Sequence, residues 1–268
     1  MIPKKIHYIW FGRNPLPELA LKCIESWRKY CPDYEIIEWN EDNFDISKNL
    51  YAKQAYEAKK WAFVSDYARL KILYEYGGIY MDTDVEVLKN LDIFLKHDAF
   101  SGFESNNSIP TGIMASVKNN QIINEFLRYY DNKSFILENG NFDTTTNVTI
   151  MTNILLKKGL VPNNSLQTIC DFTLYPSEYF CPKDFETGDI NLTKNSYTIH
   201  HFNGSWLSDT EKAIVSKKSY FIKRYGHKLG KIIYYLYFIF KNYQIYGLKQ
   251  TVKILKHKYR TSLYYEGK

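Results

Sequence analysis

Acid is almost missing from the end of this chain. From Lys212 to Lys268 there are fourteen lysines and arginines and one acid, Glu266, which makes a charge of +13. The whole 268-residue chain carries only +6. Residues 1–211, with 21 bases and 28 acids, therefore stand at −7. A mildly acidic body joined to a strongly basic tail points to a partner with a negative surface, a membrane or a nucleic acid. Cysteine is scarce too. Cys23, Cys31, Cys170 and Cys181 form no Cys-x-x-Cys spacing, which argues against a disulfide framework and for reduced thiols in a cytoplasmic protein. Long apolar runs are absent: the longest, 232–240, has about half the ~20 residues that a membrane-crossing helix needs. The opening residues, Ile2-Pro3-Lys4-Lys5-Ile6-His7, lack the apolar core and small-residue cleavage site of a secretory leader. There is no internal repeat and no low-complexity linker.

What remains is rich in core-forming residues. Hydrophobic residues make up 45% of the chain, with 24 tyrosines and 16 phenylalanines, enough for one large α/β domain or a domain with an appendage. Residues 6–10 read as a strand closed by Phe11-Gly12. A helix is expected over 17–30, where Leu16, Leu19, Ala20, Cys23, Ile24 and Trp27 recur at helical spacing. A second strand spans 34–39 and a short helix 51–60. A stronger helix, 61–76, stops at Gly77-Gly78. Strand, helix, strand, helices, strand is the beginning of an α/β sandwich with a largely parallel sheet, in which ligands sit beyond the carboxyl ends of strands. Residues 99–206 are less regular, with a strand suggested at 113–115 and a helix at 121–130. Amphipathic helices are expected at 230–237 and 248–256.

Three groups of residues carry chemistry. Asp82-Thr83-Asp84 follows Gly77-Gly78 and the short apolar stretch Ile79-Tyr80-Met81, placing two carboxylates on a turn at a sheet edge. Hard divalent cations favour such oxygen-rich sites. A chain of this length contains an Asp-x-Asp by chance about half the time, and a pair of solvated turn aspartates would look the same, so the context carries the weight. An EF-hand loop is excluded, because Glu86 and Val87 stand where that loop needs Asp or Asn and then Gly. Asp66 and Arg69, three apart, share one helix face. They read equally as a helical ion pair or as groups for a ribose, sugar or phosphate, which the planar, multi-donor guanidinium suits. His200-His201-Phe202-Asn203-Gly204-Ser205-Trp206 offers an imidazole for a metal and an indole N–H for a phosphate. A strand-end histidine and a core tryptophan is the plainer alternative.

Taken together, the blocks 2–10, 61–69 and 74–84 resemble glycosyltransferase family 32, the capsular and α-mannosyl-type transferases with a DxD sugar-binding region, and more distantly the large clostridial glucosylating toxins. The resemblance covers residues 2–90 strongly and 199–206 moderately. It implies a GT-A fold, an α/β Rossmann-like mixed sheet flanked by helices. It implies a UDP- or GDP-sugar donor, Mn²⁺ or Mg²⁺, and retention of anomeric configuration. It assigns Trp10 to the nucleobase, Asp66 and Arg69 to the donor sugar, and Tyr80 to the ribose or base. Asp82 would hold the ribose and reach the metal through water, Asp84 would ligate the metal, His201 rather than His200 would complete the metal site, and Trp206 would donate to the diphosphate. The family shows a Gly-Pro turn where this chain has Thr144-Thr145-Thr146-Asn147, so acceptor contacts do not carry over. Retention would ordinarily suggest a carboxylate nucleophile. No isolated candidate stands out, and same-face attack by the acceptor, with the leaving phosphate as base, fits better.

The expected organisation is a catalytic domain over 1–211 and a basic helical tail over 212–268. An anionic membrane surface is the favoured partner of the tail, in keeping with a lipid-linked saccharide acceptor, a place at the inner face of the cell membrane, and no nucleic-acid role. A glycosylating effector acting on a protein and a non-catalytic nucleotide-sugar-binding module are the alternatives.

Overall fold

In the computed structural model the described residues are 1–105, 108–109, 112–204 and 207–265, with side chains to 256. They divide into two compact units, the first formed by 1–182 with 191–201, the second by 183–190 with 202–268. The second unit thus starts about ten residues before the division expected at 211–212 and takes in a short segment from the body.

The first unit is built on a seven-stranded sheet of order β2-β1-β3-β6-β5-β8-β7. In chain order the elements are β1 (Lys5–Ile9), α1 (Glu18–Tyr30), β2 (Glu35–Trp39), α2 (Leu50–Glu57), α3 (Trp61–Tyr76), β3 (Gly78–Met81) and β4 (Val85–Val87). There follow β5 (Ala99–Gly102), β6 (Ile113–Ser116), α4 (Gln121–Arg128), α5 (Asn147–Leu156), β7 (Gln167–Ile169), β8 (Phe172–Tyr175), α6 (Ser177–Phe180) and β9 (Thr198–His200). β2, β1 and β3 run parallel, β6 is antiparallel to β3 and β5, and β5 and β8 are parallel. β4 and β9 form a separate two-stranded ribbon. A mixed sheet with helices on both faces and an Asp-x-Asp turn at the carboxyl end of β3 is a GT-A-like α/β fold, as the family resemblance implied; the largely parallel sheet expected from the order of elements is corrected, since β6 and β7 run antiparallel to their neighbours.

Alternation along the strands assigns side chains to two cores. Ile79 and Met81 of β3 pack with Ile6, Tyr8, Ile113 and Ala115 on the side of α1. Tyr80 and Met114 point the other way, among residues of α3, α4 and α5. Tyr80 is thereby committed to the face that α3 covers, and Asp82, two residues on, keeps the same parity.

α3 is buried along much of its length rather than on one stripe, with Val64, Tyr67, Ala68, Leu70, Ile72 and Leu73 all in the core. It ends at Gly77, φ 65°. Gly78 continues with φ 104°, and a Cβ there would meet His7 Nε2 at 2.8 Å and Lys5 O at 2.9 Å. No other residue fits so close to β1. His7 fastens this junction. Its Nε2 lies 2.8 Å from Gly77 O, and Trp39 Nε1 donates to its Nδ1 at 3.1 Å. Burial lowers its pKa to about 4. The ring is therefore neutral, with its proton on Nε2, and both nitrogens are used.

The second unit is helical. α7 (Asp209–Tyr225) opens with a capping box, in which Ser208 receives the Glu211 N–H and the Glu211 carboxylate receives the Ser208 N–H. α8 (His227–Tyr265) breaks at Gly247, φ 74° and ψ 174°. The amphipathic segments expected at 230–237 and 248–256 both lie within it, on either side of that break. Gly230 lets α8 cross α7 closely, since a Cβ there would stand 2.5 Å from Phe221 O. Segment 183–190 is held by Glu186, which pairs with Lys218 at 2.8 Å, His227 at 2.9 Å and Lys231 at 2.8 Å.

Candidate metal and donor site

The site gathers where β3 runs out. Asp82 N–H donates to Gly112 O at 2.8 Å and Val85 N–H to Asp82 O at 3.0 Å, so Asp82-Thr83-Asp84 forms a tight turn fixed to the strand end. β4 then pairs with β9 in a register that sets Val85 opposite His200 and Glu86 opposite Ile199. This pairing returns a histidine to the turn from more than a hundred residues away. His200 Nε2 lies 3.4 Å from Asp84 Oδ1 and 4.0 Å from Asp82 Oδ2. One ligand atom from each of Asp82, Asp84 and His200 falls within 4.8 Å of the others.

The expected metal ligand was His201. The structure sets His200 beside the aspartates instead and turns His201 to Glu86, Nε2 to Oε2 2.8 Å. The reason is the two-residue period of a strand, by which neighbouring side chains take opposite faces. His200 shares the buried face of Thr198, Val85 and Val87, while His201 takes the face of Glu86. The His201 N–H still serves the turn, donating to Asp84 O at 3.0 Å.

Two carboxylates and an imidazole suit a divalent cation of hard to borderline character. The electrostatics agree. Burial opposes a charged His200, yet the neighbouring Asp84 and Asp82 carboxylates raise its pKa well above the ordinary imidazole value, so the turn calls for positive charge. Gly112 lies against this ring, and a Cβ there would come within 2.8 Å of His200 Nδ1.

Beside the turn sits a buried charged network. Arg69 reaches Asp66 Oδ1 at 3.2 Å and Asp82 Oδ1 at 3.4 Å, donates through Nε to Ser65 O at 3.2 Å, and lies over the Tyr80 ring at 4.6 Å. The Tyr80 hydroxyl donates to Asp82 Oδ1 at 2.6 Å. Burial of Arg69 works against its charge, but Asp82, Tyr80 and Asp66 more than restore it. Burial raises the Asp66 carboxyl to about 6, against the opposing pull of Arg69. Ionic groups buried this deeply cost several kcal/mol each unless well paired, which a merely structural helix face has no need to bear.

Two contributors had no signal in the sequence. Asn147, the first residue of α5, donates its backbone N–H to Asp66 Oδ2 at 3.2 Å and its side-chain N–H to Asp66 O at 2.7 Å. Its own Oδ1 accepts from the Tyr130 hydroxyl at 3.1 Å. A helix N-terminus thus faces the Asp66 carboxylate, where its partial positive charge is favourable. Glu104, after β5, has its carboxyl raised by burial, with His200 pulling it down and Asp82 pushing it up, so it lies within the field of the same turn.

Of the other expected residues, Trp10 follows β1 at the same end of the parallel strands as Asp82, and its indole N–H donates to Asn14 O at 2.6 Å. Trp206 lies outside the described residues. Asp66, Arg69, Tyr80, Asp82 and Asp84 are brought together.

Part of the chain is similar to known proteins. Residues 17–101 match the family described as "Glycosyltransferase sugar-binding region containing DXD motif". The chain is 30% identical over 131 residues to inositol phosphoceramide mannosyltransferase 3 of Schizosaccharomyces pombe, covering 47% of this chain and 36% of that protein. It is 33% identical over 125 residues to mannosyl phosphorylinositol ceramide synthase CSH1 of Saccharomyces cerevisiae, covering 44% and 32%. The chain spans about a third of the length of these curated relatives. Among solved structures the PaToxG glycosyltransferase aligns with a TM-score of 0.44 at 21% identity, over 59% of this chain and 69% of that one. Over residues 17–101 the chain is thus similar to DXD-type glycosyltransferase sugar-binding regions, in line with the family 32 resemblance of the sequence blocks.

Proposed function

We propose that the chain is a metal-assisted, retaining glycosyltransferase that moves a sugar from a UDP- or GDP-sugar to a saccharide or lipid-linked saccharide. The observation that carries this is the Asp82, Asp84 and His200 cluster set against the buried Arg69–Asp66 pair. Asp84, Asp82 and His200 would hold Mn²⁺ or Mg²⁺, which when bound neutralises charge on the diphosphate that departs. The rest is done by the chain's own groups. Asp66, fixed by Asn147, and Asp82 orient the Arg69 guanidinium, which would donate to the sugar or phosphate. Donors fixed before reaction are the strongest general source of transition-state stabilisation. Tyr80 holds one oxygen of Asp82 by its hydroxyl. Trp10, at the carboxyl end of β1, borders the base, and Trp206 donates to the diphosphate. In the reaction the bond from the anomeric carbon to the phosphate oxygen breaks and its electron pair stays with the diphosphate. The acceptor hydroxyl oxygen bonds to that carbon on the same face, and its proton passes to the leaving phosphate oxygen.

Donors carrying mannose come first for testing, because the two yeast relatives are named for mannosyl transfer to inositol phosphoceramides. The +13 tail supports a peripheral site of action at an anionic membrane face, the inner face of the cell membrane on the cytoplasmic reading. Incubation with a panel of UDP- and GDP-sugars, with and without Mn²⁺, tests the proposal. It expects turnover of at least one donor that is lost without metal and lost in Asp84→Ala. Metal-independent binding without turnover would identify a sugar-binding module instead.

A further inference from the structure

α8 presents two surfaces of different character. On one, Gly230 lies against α7 and Tyr237 faces Phe221 at 5.5 Å between ring centroids, with Tyr234 buried beside them. On the opposite side stand Leu229, Ile232, Leu236, Phe240 and Tyr243, each about half exposed or more, Leu236 the most at 61%. At 100° per residue these five fall within an arc of about 80°. A monomeric soluble protein rarely exposes an apolar stripe of that length without a partner for it. Along the stretch that bears it, Lys228, Lys231 and Lys241 are the charged side chains, and there is no acid between Lys212 and Tyr265. Beyond the break at Gly247 the character changes: residues 248–265 hold five bases, Lys249, Lys253, Lys256, Lys258 and Arg260, and no acid. No helix among the described residues is long and apolar enough to cross a membrane, so the stripe is suited to lying in a lipid surface.

We infer that α8 is a two-part anchor for an anionic lipid bilayer, in which the stripe Leu229–Ile232–Leu236–Phe240–Tyr243 enters the headgroup boundary in the plane of the membrane and the segment after Gly247 is held by charge. The inference rests on the peripheral-membrane reading of the tail and divides it into an apolar and an electrostatic component. One component alone gives marginal attachment, and two together give a stable one. Charge complementarity selects the occupant, since the second unit as a whole, with fifteen bases and six acids, stands at +9. A strongly cationic face repels a second copy of itself.

The test is sedimentation of the full chain with phosphatidylcholine vesicles, with and without phosphatidylglycerol, at low salt and at 1 M NaCl. At 1 M salt the Debye length is about 3 Å and surface attraction is screened. The wild type is expected to bind anionic vesicles and to keep a salt-resistant fraction. Leu236→Asp and Phe240→Asp, both at exposed positions, are expected to lose that fraction, with a fall in partitioning of about tenfold or more. The triple change Lys249→Gln, Lys253→Gln and Lys256→Gln is expected to remove only the salt-sensitive part. On the wild type, hydrogen exchange in 227–246 is expected to slow when vesicles are added. Binding released completely by salt, with Leu236→Asp like the wild type, overturns the inserted stripe and leaves the electrostatic surface reading standing. No binding to any vesicle overturns both. A dimer in solution that Leu236→Asp dissociates shows a second copy on this face and overturns the inference too. None of these results depends on whether sugar transfer occurs.

Discussion

Tyr80 and Asp82 are two residues apart, and the phenol of the first donates to Oδ1 of the second at 2.6 Å. The period of a strand puts both on the face covered by α3, where Arg69 lies over the Tyr80 ring and also reaches Asp82. One carboxylate oxygen is therefore claimed twice inside the protein. The other faces His200. The first aspartate of the pair is oriented before any ligand arrives. Tyr80→Phe keeps the ring and removes the donor. Hydrogen bonds to charged groups contribute about 1.5–3 kcal/mol to stability, so we expect a lowered melting temperature and, with Asp82 no longer held in place, a roughly tenfold or greater loss of donor turnover. Steady-state kinetics beside thermal unfolding check this, and a turnover equal to the wild type's would show that the hydroxyl does not matter.

The two neighbouring histidines separate by metal affinity. His200→Ala and Asp84→Ala are each expected to weaken Mn²⁺ binding by about 100-fold or more, whereas His201→Ala, which removes the contact with Glu86, is expected to stay within about threefold. Gly112→Ala belongs with the first group, because its methyl would press on the His200 ring. Calorimetric titration with Mn²⁺ ranks the four. Equal losses at His200 and His201 would refute the placement of the metal.

The sequence shows one part of this site plainly and another not at all. Asp66, Arg69, Asp82 and Asp84 could be singled out because a sixteen-residue helix, a glycine break and an apolar strand run consecutively, while it was the family resemblance that gave them, and Tyr80, a role. The third corner was not legible, because β4 and β9 have three residues each, too few to show a two-residue period. Without the register, His200 and His201 are interchangeable by a slip of one. Asn147 was hidden for another reason. An asparagine at the start of a helix is commonplace, and its importance comes from Asp66, 81 residues away in the chain. The tail's charge was visible, but the stripe on α8 needed the position of α7 to show which apolar residues are left exposed.

Asp66 carries a pH signature. Its carboxyl is raised to about 6 by burial, so the folded chain holds that proton more tightly than the unfolded one does. This contribution favours folding below the ordinary carboxylate range and is lost as pH rises through about 6. In metal-free protein, Asp66→Asn should therefore flatten the slope of stability between about pH 4 and 6 and add about 1–3 kcal/mol at pH 8, and with Mn²⁺ present the same variant should lose turnover. Denaturant titration at several pH values checks the sign. A variant less stable than the wild type at pH 8 would contradict it.

Glu186 has the opposite sign. Burial raises its pKa, but Lys218, Lys231 and His227 outweigh this and bring it down to about 2. Its stabilisation is present above the ordinary glutamate value and is lost as pH falls from about 4.5 toward 2. Glu186→Gln should loosen segment 183–190 from α7 and α8 at neutral pH by about 1–3 kcal/mol, seen as faster hydrogen exchange in both. In the wild type the same change should appear near pH 3.

The β4–β9 ribbon has a consequence for how the protein can be divided. The region recognisable as a sugar-binding module ends at residue 101, yet the histidine facing its two aspartates belongs to β9, at Thr198–His200. A fragment cut to the module's own limits would keep the signature by which it is recognised and lack the third corner of the proposed metal site. The smallest piece of this chain able to assemble the cluster extends through residue 200, so the site can close only after most of the chain has been made.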